Sequence, residues 1–239
     1  MLDPEFPQRL LKAGDARTVE FIQFLFTEYS RRGLTEKTDR CAAMSGLQNC
    51  IAQVKGKTIF GVPQSFLHRF LLWQRSGKQN TDRIGYKTQI VPSWSWMAYS
   101  GSIQFMDIAF EQVEWVRSLR FSQENEHRAL DEKGQPALVT DISSFLGCSL
   151  KQSDLGYAVL DLNGAEKGWI QYDMGTHEGL NAERCVVVGR DVWKIGAGKR
   201  KYYILVVTPT SMENEYTRVG TGWVLSGHVA RQGVQALIV

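Results

Sequence analysis

The sequence has 239 residues, 43% of them hydrophobic and 11% aromatic, with 28 basic and 25 acidic side chains and a formal charge of +3. That is an ordinary globular composition, long enough for one large domain or two small ones. The small charge excess leaves no electrostatic footprint for nucleic acid or a membrane surface, and no apolar run approaches the ~20 residues that cross a bilayer.

The first six residues, Met1–Phe6, stand apart. Asp3-Pro4-Glu5-Phe6 is what two adjacent restriction sites encode in one frame, so this segment is expected to be a vector remnant and the chain a fragment of a longer protein. From there to about residue 87 the pattern is helical. Asp15 is expected to cap a helix that runs to Arg32 and stops at Gly33. On it Val19, Ile22, Leu25, Phe26 and Tyr29 share a face, and Phe21 and Phe24 widen the apolar arc. This predicts a helix buried on more than one side. A second helix is expected from about Thr38 to Val54, with Met44, Leu47, Ile51 and Val54 as its buried stripe. Gly46 interrupts it, which predicts another backbone passing close by. Pro63 suits the first turn of a third helix that turns Phe66, Leu67, Phe70 and Leu71 inward, with Trp73 near its end.

From residue 88 to 239 the pattern turns to β. Glu111–Ser122 alternates, with Val113, Trp115, Leu119 and Phe121 on one side. Ser122–Pro136 reads as a polar loop. Tyr157–Leu162 and Trp169–Tyr172 flank Asn163-Gly164, a hairpin signal. Cys185–Val188, Tyr202–Val207 and Tyr216–Leu225 complete at least six strands, and the unbroken apolar runs among them predict strands covered on both faces. Few crossover helices separate them, so the sheet should be mainly antiparallel. The expected architecture is α+β: an N-terminal helical layer of about three helices packed, as one unit, on a β-sandwich or partial barrel.

Between the two regions lies Pro92-Ser93-Trp94-Ser95-Trp96-Met97-Ala98-Tyr99. Placed on a strand, Trp94, Trp96 and Ala98 point one way and Ser93, Ser95 and Met97 the other. Each indole hides up to ~250 Å². Two readings follow: a strand that locks helices to sheet, or an aromatic wall of a small-molecule pocket, with Trp94, Trp96, Tyr99 and Trp115 as ligand-binding residues.

Recognisable chemistry is sparse. Lys199-Arg200-Lys201 follows Gly196-Ala197-Gly198 but lacks the hydroxyl and first glycine of a phosphate loop, and reads as a turn. Cys41, Cys50, Cys148 and Cys185 form no CxxC pair, so neither a metal site nor a redox pair is indicated. They fit a reducing, cytoplasmic compartment. His68, His127, His177 and His228 are isolated. His177, with Asp173 and Glu178, reads as a surface loop before it reads as an acid–base trio. Asp39 and Arg40 open the second helix. They read as a helix start with a surface ion pair, or as an arginine holding an anionic or carbonyl group of a ligand.

Three stretches together resemble a family: FTEYSRRGLTEKTDRCAAMSGLQNCI, FGVPQSFLHRFLLW and PSWSWMAYSG. With Tyr216-Thr217-Arg218-Val219-Gly220 further on, their order and spacing are similar to the C-terminal part of fungal heterokaryon-incompatibility (HET) domain proteins. The matching positions are Tyr29, Ser30, Arg31, Leu34, Thr35, Asp39, Arg40, Ala43, Ser45, Gly46, Leu71, Leu72, Trp73 and Pro92–Trp96. The N-terminal signalling segment of that family, associated with self/non-self recognition and cell death, is not in this sequence. The resemblance implies a non-catalytic module that senses a protein partner or small molecule. The rival expectation is a stand-alone enzyme of fungal specialised metabolism, cyclising or isomerising an apolar substrate in an aromatic cavity. A purely structural scaffold is the third. No cofactor or metal is called for under any of them.

Overall fold

The computed structural model describes residues 12–77, 81–122, 136–175, 179–180, 182–195 and 198–239. The expected remnant at Met1–Phe6, most of the polar loop before Pro136, and both His127 and His177 lie outside the described residues. The chain has the expected α+β architecture: among the described residues, three helices of five residues or more lie on a large, curled, mostly antiparallel sheet.

Helix α1 spans Asp15–Arg31; Gly14, not Asp15, is its N-cap, and Asp15 instead supplies the acid in the first turn, with a base in the last, as the helix dipole favours. Its buried residues are Thr18, Val19, Ile22, Phe26 and Ser30. That is one stripe, narrower than the sequence suggests. Phe24 is 56% exposed and Phe21 39%. At ~100° per residue, position 24 sits opposite the midpoint of 22 and 26, so it faces outward. Helix α2 (Arg40–Lys55) follows a 3-10 turn at Lys37–Asp39 and ends at Gly56 with φ 79°. Nothing approaches within 4 Å of a Cβ built on Gly46, so the close backbone expected there is absent.

The third helix is much shorter than Pro63 implies. Thr58–Ile59 (β1) and Val62–Pro63 (β2) form a small hairpin, Gln64–Phe66 a 3-10 turn, and α3 only Leu67–Leu71. Pro63 therefore ends an edge strand, where its missing N–H costs nothing. The hairpin turns through Phe60 (φ 43°) and Gly61 (φ 75°). A Cβ on Gly61 would come 2.5 Å from Trp96 Nε1. Gly61→Ala combines left-handed strain with overpacking and is expected to cost roughly 2–4 kcal/mol in urea unfolding.

Next come β3 (Trp73–Arg75) and its antiparallel partner β4 (Ile103–Phe105). The tryptophan motif lies between them and is not a strand. Trp96–Ala98 is a 3-10 turn whose start is capped by the Ser95 hydroxyl, which accepts the Met97 N–H at 3.0 Å. Every residue from Val91 to Ser100 is buried, serines and tryptophans alike, so no alternation survives. The local serine bond competes with a β ladder and wins.

The main sheet holds β5 (Val113–Trp115), β6 (Arg120–Phe121), β7 (Leu138–Ile142), β8 (Cys148–Gln152), β9 (Tyr157–Asp161), β10 (Glu166–Tyr172), β11 (Arg184–Ile195), β12 (Lys199–Pro209), β13 (Glu215–Leu225) and β14 (Val234–Ile238). The single strand expected over Glu111–Ser122 is two, because Leu119 N–H bonds back to Val116 O and closes a turn between them. The Asn163-Gly164 hairpin forms, with Gly164 at φ 77° and the Asp161 carboxylate accepting the N–H groups of Asn163 and Ala165. Strand order is β5-β11-β12-β13-β10-β9-β8, and β14 joins β13 in the sheet's parallel pairing before pairing β7. Ser143, just past β7, then exchanges two 2.8 Å backbone bonds with Cys185 of β11. The path β11-β12-β13-β14-β7 thus curls until its end meets its beginning.

Both faces of β11–β13 are covered, as their apolar runs require. One cluster joins Val186, Leu205 and Val207 to Ile238, Trp94, Trp73, Phe70 and Phe26, so helices and curled sheet share a core. The other packs Cys185, Ile204 and Val206 against Val159 and Ile170 of the outer strands.

Candidate functional site

The motifs scattered along the sequence meet at one junction, where irregular backbone is buried between helices and sheet. Buried carbonyls need donors, and regular ladders cannot supply them there. Three arginines do. Arg218, on β13, has no exposed side-chain surface. Its guanidinium donates to Leu71 O and Trp73 O at 2.6 Å each and to both carboxylate oxygens of Asp173 at 3.0 Å. It lies 3.7 Å from the centre of the Trp73 ring. The Arg218 N–H donates to Ser93 Oγ at 2.8 Å, and the Ser93 hydroxyl donates to Val239 O. Trp73 Nε1 donates to Trp94 O at 2.9 Å. Each bond ties a different segment to the same point.

Arg40, at the start of α2, clamps the tryptophan turn from the other side. It donates to the carbonyls of Tyr99, Gly101 (2.8 Å) and, more weakly, Trp96 (3.4 Å), and stands 5.3 Å over the Trp96 ring. Burial pulls it below the ordinary guanidinium value. Arg69, on α3, repeats the device on Ile108, Ala109 and Phe110, at 2.8, 3.2 and 3.0 Å. Beside it His68 bonds Val116 O at 2.8 Å and stacks on Trp115; burial lowers its pKa more than that bond raises it.

The expected ligand residues therefore have structural surroundings. Trp94 and Trp96 are 0% exposed and Tyr99 2%. Trp94 meets Phe121 edge-on, Trp96 packs between Phe26 and Tyr29, and Tyr99 against Trp73. Burial raises the Tyr99 phenol well above its usual range. Trp115 lies under Arg69 and His68, apart from the other three. Asp39 is exposed and makes no side-chain cap on α2. Of the six, Arg40 borders a cleft, a 210 Å³ notch by Gly101.

A larger cleft lies elsewhere, and the sequence gives little sign of it. It is a groove of about 680 Å³ at the seam where β7 closes against β11 and β12. Thr140, Asp141 and Ser143 form one wall, Val187, Arg190, Lys199 and Tyr202 another. The segment from Ser226 to Gly233 bounds it and contributes Arg231. Arg190 stacks on Tyr202 at 5.6 Å. Lys199 lies over Gly227, where a Cβ would come 3.2 Å from its Cε. The lining thus carries three cations, Arg190, Lys199 and Arg231, against the lone carboxylate of Asp141. Among the described residues none of the three has a carboxylate partner, although neighbouring Arg200 reaches Glu114 at 2.9 Å.

Among the described residues no three His, Cys, Asp or Glu side chains gather closely enough to hold a metal ion, and no helix is long and apolar enough to cross a membrane. The cysteines are unpaired, and burial pushes the Cys185 thiol up to about 12. Fold and groove together define a helix-capped, curled-sheet domain with a polar, cationic cleft. Set against known proteins, the chain matches no family model, no curated protein and no solved structure.

Proposed function

We propose that this chain is a non-catalytic recognition module, the sensing part of a HET-like protein, and that its ligand sits in the groove between β7, β11, β12 and residues 226–233. The observation that carries the reading is the contrast between the two sites. The aromatic junction is filled by its own side chains, with Trp94, Trp96 and Tyr99 at most 2% exposed. The groove has the volume of a small-molecule site and three cations that, among the described residues, have no carboxylate partner. The HET-like positions Tyr29, Ser30, Arg40, Trp73 and Ser93–Trp96 support the resemblance in a particular way. They are linked through hydrogen bonds to the same buried junction, so what they would share with that family is the scaffold.

The test is equilibrium dialysis of the protein against a metabolite extract, with mass spectrometry of what is retained and of what emerges. A compound held by the wild type, released chemically unchanged, and lost from an Arg190→Ala/Arg231→Ala variant is the expected result. Both substitutions are at exposed positions and should move stability by no more than about 0.5 kcal/mol. A compound that emerges transformed overturns the non-catalytic reading. Equal retention by both proteins, or none by either, removes the groove as the site.

A further inference from the structure

We infer that the groove takes a small molecule bearing two or more linked phosphate groups. This rests on the groove being the ligand site and goes on to name the ligand's chemistry. Three cations and one carboxylate leave a lining charge of 3 − 1 = +2. Like charges gathered around one concavity repel in a region of reduced dielectric, and an anion between them removes that repulsion. A single phosphate meets one or two cations. Three, carried by β11, by β12 and by the segment before β14, suit an anion that extends across the groove. Two are arginines, whose planar donor forks match phosphate oxygens in pairs.

The rest of the lining fits the same ligand. Ser226 Oγ already accepts the Arg200 N–H at 3.2 Å, which leaves its own proton to donate. Ser118 and Ser143 also border the groove. Nothing lies within 4 Å of a Cβ built on Gly198, so backbone and phosphate can approach closely there. The carboxylate of Asp141 disfavours phosphate in its own vicinity, so an uncharged or amine-bearing part of the ligand suits that position. A nucleic-acid strand is the poorer fit. The cleft is bounded, and the protein's net charge of only +3 offers no track beyond it.

The experiment is isothermal titration of the full chain with sodium tripolyphosphate, sodium phosphate and a single-stranded RNA oligomer, all at matched ionic strength. Tripolyphosphate should bind saturably and at least about tenfold more tightly than phosphate. Arg190→Ala/Arg231→Ala should weaken it by a further factor of about ten or more, while Lys194→Ala, an exposed cation outside the groove, should leave it unchanged. The melting temperature of each variant, measured alongside, confirms that all are folded. Lys199→Ala supplies an independent loss of binding if the double variant fails to fold. Absence of saturable tripolyphosphate binding, equal binding by all variants, or tighter binding of RNA overturns the inference. If tripolyphosphate fails while an unphosphorylated metabolite is retained in a manner that depends on Arg190 and Arg231, the ligand class is wrong and the groove stands. If nothing depends on those arginines, both fall.

Discussion

Arg218→Leu is expected to lower the stability of the domain by about 3–5 kcal/mol, a large share of the roughly 5–15 kcal/mol that holds an ordinary domain folded. Leucine fits the volume of the aliphatic stem but leaves Asp173, itself 2% exposed, without its guanidinium. A buried carboxylate that has lost its bidentate arginine is the larger part of the loss. The carbonyls of Leu71 and Trp73 lose their donor as well, at ~1–3 kcal/mol for each that water cannot reach. The cationic face over Trp73 goes with them. Urea unfolding followed by tryptophan fluorescence measures the effect. The double variant Arg218→Leu/Asp173→Leu separates its causes. Removing the charge along with its partner should recover a large part of the lost stability, because a buried ion pair is far more costly to break than to replace. The two orphaned carbonyls should keep the double variant below wild type. A midpoint for Arg218→Leu within experimental error of wild type would mean that the pair is not the anchor of the junction.

The parts of this fold that can be read from sequence are those governed by one local rule. The Asn163-Gly164 hairpin forms because glycine takes the positive φ the turn demands. The apolar runs of β11 and β12 predict two-sided burial, and Ile204–Val207 are all 0% exposed. The misses come where a side chain answers to a distant backbone. Pro92–Tyr99 looks like a strand by alternation, yet its shape is set by Ser95 bonding Met97 N–H and Phe60 O, and by Arg40 reaching carbonyls some 60 positions away. Arg218 sits in a strand pattern where an arginine reads as solvent-facing. Its burial depends on Asp173, 45 positions earlier in a polar run that gives no hint of a core residue. Arg69 is equally hidden. The groove is harder still, since Thr140, Arg190, Lys199 and Arg231 come together only because Ser143 finds Cys185 and shuts the curled sheet. Residues 138–142 and 234–238, the two strands that complete that closure, are short and follow polar stretches, so periodicity alone passes over them.

Trp96→Ala is the second large effect, and it separates the two roles an aromatic turn can have. The indole is 0% exposed, with Phe26 at 5.3 Å and Tyr29 at 6.3 Å between ring centres, and Arg40 over its face. Truncation opens a cavity that α1, the Gly61 hairpin and the turn border together. The expected cost is about 3–5 kcal/mol, the range for a fully buried large aromatic. Trp96→Phe should cost clearly less, since it keeps a ring against Phe26 and gives up only a long 3.4 Å bond from Nε1 to Gly61 O and part of the volume. The ordering also predicts where the damage spreads. Arg40 would lose its stacking partner while keeping the Tyr99 and Gly101 carbonyls, so α2 should fray before the sheet does. Hydrogen exchange would then show faster amides in residues 40–55, with β11–β13 still protected. If Trp96→Ala instead melted like wild type but lost a bound small molecule, the ring would be a pocket wall after all, and the junction would owe its stability to the arginines alone.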